Sequence, residues 1–286
     1  MLALIAHNIP SCLHQEALTP LAAALRRHAA SVSVVEVAEL EGYASKADVL
    51  LARVIGAPAW RKVDAAAQAG VPTLNMPGAV RLVSNKLAAA HRLHEAGLRV
   101  PMQSALCPDG ASASEVVQRF GLPVVVKPVV GMNGEGVEVV ETRPRLAEVM
   151  SARRPSSRWL VQQYLPSAAS GDVRVLVVDG ETVASMRRVP QPGSYRANLH
   201  ANGSAQPHVA SADERSAAEA AAAVCGVGIA GVDLVPSDDG PIVLEVNAVP
   251  GLQVGQVANV DVPGAVASAV ARRAGMGVTD LGASDR

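Results

Sequence analysis

The sequence predicts an α/β protein whose later part turns α+β, and three observations lead there. Strand and helix alternate through residues 1 to about 83, the order that builds a small parallel sheet covered by helices. A middle block combines a helix-capping signal with two apolar strands flanking a glycine-rich turn. From Trp159 onward apolar strands dominate and close on a β-hairpin and a last helix. The 286 residues suffice for about two domains with a sizeable core. Hydrophobic residues make up 49 %, mostly Ala, Val and Leu with a single Phe, which fits a compact alanine-rich interior.

Taken in order, Leu2–Ala6 reads as an apolar strand, residues 16–28 as a helix, and residues 31–37 and 48–54 as strands. Residues 59–69 form a helix that Gly70 ends, and 71–74 a short strand. No GxGxxG follows the first strand, so this unit carries no dinucleotide signature. Ser84 is a suitable N-cap for a helix over 85–96, with Gly97 as its stop. Residues 123–129 and 137–141 read as strands around Gly131-Met132-Asn133-Gly134-Glu135-Gly136, and a helix follows near 145–152. Strands are expected over 159–165, 173–178 and 182–188, then a polar loop over about 190–207 and a helix over 213–224. A hairpin runs from 230–235 through Ser237-Asp238-Asp239-Gly240 to 242–246, and a helix near 264–274 closes the chain. The expected organisation is therefore an N-terminal unit (1–83), a small central lobe (84–158), a C-terminal lobe (159–275) and a polar tail (276–286).

Composition excludes some classes of function. No apolar run reaches the ~18 residues that span a bilayer, and the opening Met1–His7 lacks the basic lead-in of a signal peptide. A net charge of −1 gives no electrostatic grip on nucleic acid, although Arg153-Arg154 and Arg187-Arg188 could meet small anions. Cys12, Cys107 and Cys225 fit neither a zinc spacing nor a disulfide framework and read as reduced thiols of a cytoplasmic protein. His91 and His94 lack a third ligand and read as surface or packing residues. No nucleic-acid or membrane partner is expected.

Candidate chemistry begins at the acidic hairpin. Side chains alternate along a strand, so Glu245 and Asn247 share a face, about 7 Å apart. If the hairpin is centred on Asp239, Asp233 lies opposite Glu245. Two carboxylates and an amide oxygen suit magnesium shared with phosphate, and without a cation the two acids would repel. An exposed strand end with ordinary surface acids accounts for the pattern equally well.

Lys127 interrupts the apolar strand Val124-Val125-Val126-Lys127-Pro128-Val129, where a buried ammonium needs an anionic partner. The loop after it carries Gly131, Gly134 and Gly136, which let backbone N–H groups approach a phosphate. It lacks the GKS/T of a P-loop. Alone, the loop reads as a plain hairpin turn. Lys86 opens a helix, where a cation opposes the dipole unless it faces an anion; alone it reads as solvated. Asp172 and Arg174 share a strand face, Arg187 and Arg188 end the next strand, and Arg196 with Asn198 lies in the polar loop. Converging arginines would supply charge for phosphoryl transfer, whereas a surface ion pair between Asp172 and Arg174 is the plainer account.

In their order along the chain these features resemble the ATP-grasp superfamily, and within it the RimK-like group of ribosomal-protein glutamate ligases. The matching stretches are Arg53-Val54-Ile55-Gly56, Asn85-Lys86-Leu87, residues 124–137, 161–165 and 171–178, Arg196-Ala197-Asn198-Leu199-His200, Ala230-Gly231-Val232-Asp233, and Leu244-Glu245-Val246-Asn247-Ala248-Val249-Pro250-Gly251. They cover about residues 1–275 and are weakest in the N-terminal third.

The resemblance implies an ATP-grasp fold behind an N-terminal Rossmann-like domain, with ATP between the central and C-terminal lobes. It places Lys86, Lys127 and the loop glycines at the phosphates, Gln163, Tyr164 and Leu165 at the adenine hinge, and Asp172 on the ribose side. Arg196 and Asn198 would line the phosphate and substrate side, and Asp233, Glu245 and Asn247 would hold two magnesium ions (or manganese). Arg174 would steady an acyl phosphate and the tetrahedral intermediate. The implied activity joins an amino acid, such as glutamate, to an amine acceptor through an acyl phosphate, with no nucleophilic side chain. The acceptor is a small molecule, a protein or a carrier protein, and a homo-oligomer is expected. A small-carboxylate kinase and a nucleotide-sensing module that has lost chemistry remain the alternatives. Three residues depart from the group's pattern. Gln163 replaces the usual hinge glutamate, although its carbonyl can still accept from adenine. Glu135 brings a charge into the phosphate loop, where it either repels phosphate or points outward. Ala197 removes a hydroxyl.

Overall fold

The computed structural model describes residues 2–9, 11–29, 31–106, 112–132, 134–153, 159–191 and 204–275. The polar tail 276–286, Cys107, Asn133, Arg154 and residues 196–198 lie outside the described residues, as does the side chain of Cys12. Cys225 is a buried free thiol.

The N-terminal part runs β1 (Leu2–His7), α1 (Ser11–Leu25), β2 (Ser31–Glu36), α2 (Glu41–Ala44), β3 (Val49–Arg53), α3 (Ala57–Gln68) and β4 (Thr73–Leu74). Its four strands pair in parallel in the order β2-β1-β3-β4. β1 is uniformly apolar because both its faces are covered. Ala3 and Ile5 pack with Leu18 and Leu21 of α1, whereas Leu4 and Ala6 face Ala59 and Val63 of α3.

Two helices follow without a strand between them, α4 (Pro77–Ser84) and α5 (Lys86–Glu95). The expected cap shifts by one residue: Asn85, not Ser84, is the N-cap of α5, its side chain accepting from Ala88 N–H at 3.1 Å. Ser84 is the last residue of α4, and its hydroxyl donates to the Val80 carbonyl at 2.7 Å. Pro77 explains the unforeseen α4, since a proline at the first helical turn loses no helical bond.

The central sheet contains β5 (Gln103–Ala105), β6 (Val124–Pro128), β7 (Glu138–Val140) and β8 (Trp159–Gln163), ordered β5-β8-β6-β7. α6 (Ala113–Phe120) and α7 (Arg143–Ala152) cover one face, packing on Val124, Val126, Val140 and Val161. Strand alternation then turns Val125, Lys127, Val139 and Gln162 to the other face. That face looks onto a cleft.

The third sheet orders as β11-β10-β9-β12-β13, antiparallel throughout. Its strands are β9 (Asp172–Val178), β10 (Glu181–Val189), β11 (Ser204–Pro207), β12 (Ile229–Val235) and β13 (Ile242–Asn247). Between β11 and β12 lies α8 (Ala212–Cys225), and α9 (Val254–Ala258) and α10 (Val262–Arg273) follow β13. One face packs on α8 through Val173, Val175, Val177, Val232 and Leu234. On the other, Leu176, Val178, Ala184 and Met186 join α1 and α10. On that second face the same strands carry Asp172 and Arg174 of β9 and Arg188 of β10 further along. One sheet face is thus apolar where it meets the N-terminal unit and charged where it meets the cleft.

Candidate functional site

The cleft is walled by the inward face of the central sheet, the glycine loop and the charged end of the third sheet. Lys86, Lys127, Gly131, Gly134, Tyr164, Leu165, Asp172, Asp233 and Glu245 from the sequence reading all line it. Residues up to 159 positions apart therefore meet in one cavity, from Lys86 to Glu245.

The hairpin register is the expected one at the site: Asp233 pairs with Glu245. Nearer the turn the pairing slips, Leu234 opposing Val243, so Leu244 is an extra residue on β13. This bulge turns both Leu244 and Glu245 into the cleft while Val243 and Val246 stay in the core. Asn247 donates to Glu245 at 3.1 Å and to the Gly231 carbonyl at 3.4 Å.

Asp233 is buried and held by two arginines. Arg174 donates to it through Nε at 2.7 Å and Nη2 at 2.8 Å, and Arg188 Nη2 lies 2.7 Å from the same carboxylate. Arg188 also grips Asp172 through Nε at 2.6 Å and Nη2 at 2.7 Å. Both bidentate contacts join residues that face each other across strands, Arg174 with Asp233 and Arg188 with Asp172. Of the two accounts the sequence left open, the Asp172–Arg174 surface pair gives way to this ladder of two acids and two arginines. Burial disfavours the Asp233 anion, but Arg174 and Arg188 overcome it and hold the carboxyl at about 2. Burial and the Asp233 charge push Asp172 up to about 6, because it shares its one bidentate arginine. Burial also works against the Arg188 charge, which its two carboxylates more than restore.

Lys127 has no such neutralisation. Burial lowers its amine to about 8, with Glu245 and Asp233 pulling it up and Lys86 pushing it down. Lys86, first residue of α5, donates to the Gly131 carbonyl at 2.7 Å and lies 3.5 Å from Glu245. Its charge thus meets an acid and the loop, which answers the dipole objection.

Two readings need correction, and a third that was left open is decided. Gln163 turns its side chain away from the cleft, where its carbonyl oxygen accepts from Met102 N–H at 3.4 Å. Gln162 occupies the inward position instead, and its Oε1 is buried without a hydrogen-bond partner. Gly136 does not line the cleft. It is a packing glycine: at φ +71° an added Cβ would press on Trp159 at 3.0 Å and Pro128 at 3.1 Å. Glu135 lies exposed along the cleft rim, so its charge does face the cavity. Arg196 and Asn198 fall outside the described residues.

Arg188 was named only together with Arg187, and Gln162 was not singled out from sequence. The signal for Arg188 was parity: of the pair Arg187-Arg188, only Arg188 stands opposite Asp172. Gly171 was also missed. With φ +106° it lets the chain pass the Arg188 carbonyl where any Cβ would collide.

The donor set fits magnesium. Two carboxylates and an amide give part of an octahedral oxygen shell, leaving positions for phosphate and water, as magnesium prefers. Asp233 keeps one free lone pair, on Oδ1, beside its three arginine contacts. Asn247, whose amide nitrogen now faces Glu245, would have to flip its amide to offer oxygen. Among the described residues no group of three or more His, Cys, Asp and Glu is placed to hold a metal, so phosphate oxygens would have to complete any site. For a nucleotide, the unpartnered Gln162 carbonyl and the under-neutralised Lys127, on paired strands of the same sheet face, are fitting contacts.

Residues 83–270 match the family model of the RimK-like ATP-grasp domain. A protein of Aeromonas salmonicida (strain A449) named as a probable alpha-L-glutamate ligase is 39 % identical over 181 residues, 63 % of this chain. The match spans 61 % of that relative's length. A RimK-domain ATP-grasp protein from Sphaerobacter thermophilus DSM 20745 superposes with a TM-score of 0.72 at 23 % identity, over 94 % of this chain and 98 % of that one. A D-alanine–D-alanine ligase from Bacillus anthracis complexed with ATP gives a TM-score of 0.71 at 17 % identity, covering 96 % of each chain. These likenesses establish an ATP-grasp fold.

Proposed function

This chain belongs to the RimK-like ATP-grasp family, and on that footing we propose that it is an ATP- and magnesium-dependent carboxylate–amine ligase. The observation that carries the reading is the single cleft in which two lysines, a glycine loop, a buried arginine and the Asp233–Glu245 pair converge. The relatives named for alpha-L-glutamate ligation support glutamate as the amino acid added.

Each residue then has a task. Gln162 Oε1 accepts from the adenine edge, and Tyr164 and Leu165 flank the base. Lys127 and Lys86 meet the phosphates, and a bound phosphate supplies the anion that Lys127 lacks. Asp233, Glu245 and Asn247 would hold magnesium, which would supply charge neutralisation at the phosphates. A substrate carboxylate attacks the γ-phosphorus and ADP leaves; an amine then attacks the acyl carbon and phosphate leaves. Arg174 and Arg188, pre-aligned on Asp233, stabilise charge developing at the transferred group without reorganising.

The test is an ADP-release screen over pairs of amino acids and acceptors, followed by mass measurement of products. An amide product whose mass equals the two substrates less water is expected. A phosphorylated metabolite as the stable product would replace the ligase with a kinase. Nucleotide binding without any ADP release would leave a sensing module.

A further inference from the structure

Arg53 ends β3, deep between the first and third sheets, and is 4 % exposed. Its Nη2 donates to the Pro250 carbonyl at 2.7 Å, while its Nε is buried with no hydrogen-bond partner. Among the described residues no carboxylate lies within ion-pairing distance of it, and burial alone lowers its guanidinium to about 10. An uncompensated buried cation is costly, and here it borders a cavity of about 600 Å³. The cavity wall is otherwise apolar (Ile9, Ile55, Leu252) with the side-chain amides Gln253, Gln256 and Asn259. Its one acid among the described residues, Asp261, is occupied elsewhere: Arg27 lies 3.2 Å from it, and it accepts from Gly264 N–H at 2.9 Å as the cap of α10. The cavity touches the nucleotide cleft at Met132, which lines both.

We propose that this cavity is a substrate subsite in which Arg53 binds a spectator carboxylate, one that ligation leaves intact, on an amino-acid or short-peptide substrate. The ligand must bring a negative charge to a fixed planar donor, and carboxylate matches that geometry. It must also be small, part apolar and able to bond amides, which describes an amino acid or its peptide. The carboxylate is not the activated one, because Arg53 does not line the cleft holding Lys127, Arg188, Asp233 and Glu245. The inference rests on the ligase reading for the word substrate, but its binding test needs no turnover.

Isothermal titration of the full chain with L-glutamate, L-alanine and L-leucine, each beside its α-carboxamide, tests it. At least one free acid is expected to bind ten-fold or more tighter than its amide. Arg53→Gln should bring that ratio close to one while leaving ATP affinity unchanged. Since Arg53 also supports Pro250, Gln256→Glu is the second variant. It changes an exposed wall residue, and it should weaken the acid several-fold and spare the amide. Equal binding of acid and amide, a ratio that survives both substitutions, or no binding at millimolar concentration would each overturn the subsite. Carboxylate binding without ADP release would leave the subsite standing and remove the ligase. Turnover with no acid-over-amide preference would do the reverse.

Discussion

Lys127 concentrates the trade between stability and chemistry in one side chain. Its amine titrates near 8 in the folded protein against 10.5 for an ordinary lysine. Below pH 8 the folded chain must bury a charge that the unfolded chain keeps in water. Between about 8 and 10.5 the unfolded chain binds the additional proton, so stability rises with pH through that window, by roughly 3 kcal/mol for this residue. Lys127→Met should abolish that rise in urea titrations, make the nucleotide-free protein more stable at pH 7, and weaken ATP binding at least ten-fold. Unchanged ATP affinity would make the lysine structural. Glu245 behaves differently, because it is half-buried and, among the described residues, its polar partners are Lys86 and Asn247. Glu245→Gln keeps its shape, so the fold should hold within about 1 kcal/mol while turnover falls by about 100-fold or more. Circular dichroism and ADP release separate the two effects.

At the scale of elements, what was readable and what was not divides along physical lines. β1, β6, β9 and β12 were legible because strands buried on both faces appear as apolar runs, and a polar residue inside such a run draws the eye. That is how Lys127 and Asp233 emerged, while Glu245 of β13 emerged from its alternation with Asn247. Parity was harder. Whether Gln162 or Gln163, Arg187 or Arg188, faces inward depends on which neighbour the strand adopts, and single residues do not state it. The three-residue β5 is too short to carry a pattern, and the Leu244 bulge depends on packing from both sides. Arg53 stood out only as part of the Arg53-Val54-Ile55-Gly56 stretch of the resemblance, with no role attached to it. The β9–β10 pair also depends on Gly171. Gly171→Ala should cost about 2 kcal/mol or more in chemical denaturation, since neither its φ nor the adjacent Arg188 carbonyl tolerates a methyl group. It should also lower activity by displacing Arg188.

For the whole molecule, the decisive question is how the N-terminal sheet is fixed to the third. Asn75, just after β4, does this with three buried hydrogen bonds. Its Nδ2 donates to the carbonyls of Ile229 at 2.8 Å and Ala248 at 2.7 Å, and its Oδ1 accepts from Ile229 N–H at 2.7 Å. Asn75→Ala would strand three buried backbone groups, an expected loss of about 3 kcal/mol in urea unfolding with an unchanged slope. Because Ala248 directly follows Asn247, the same change should also raise the magnesium requirement of turnover. The ladder of Asp172, Arg188, Asp233 and Arg174 has a further consequence for anyone dissecting this protein. Asp233 is the keystone of two guanidinium clamps as well as a candidate metal ligand. Asp233→Asn would leave half-buried Arg174 without its carboxylate and buried Arg188 with Asp172 alone, and an inactive variant of that kind would report collapse and metal loss together. Position 245 is where the two can be told apart.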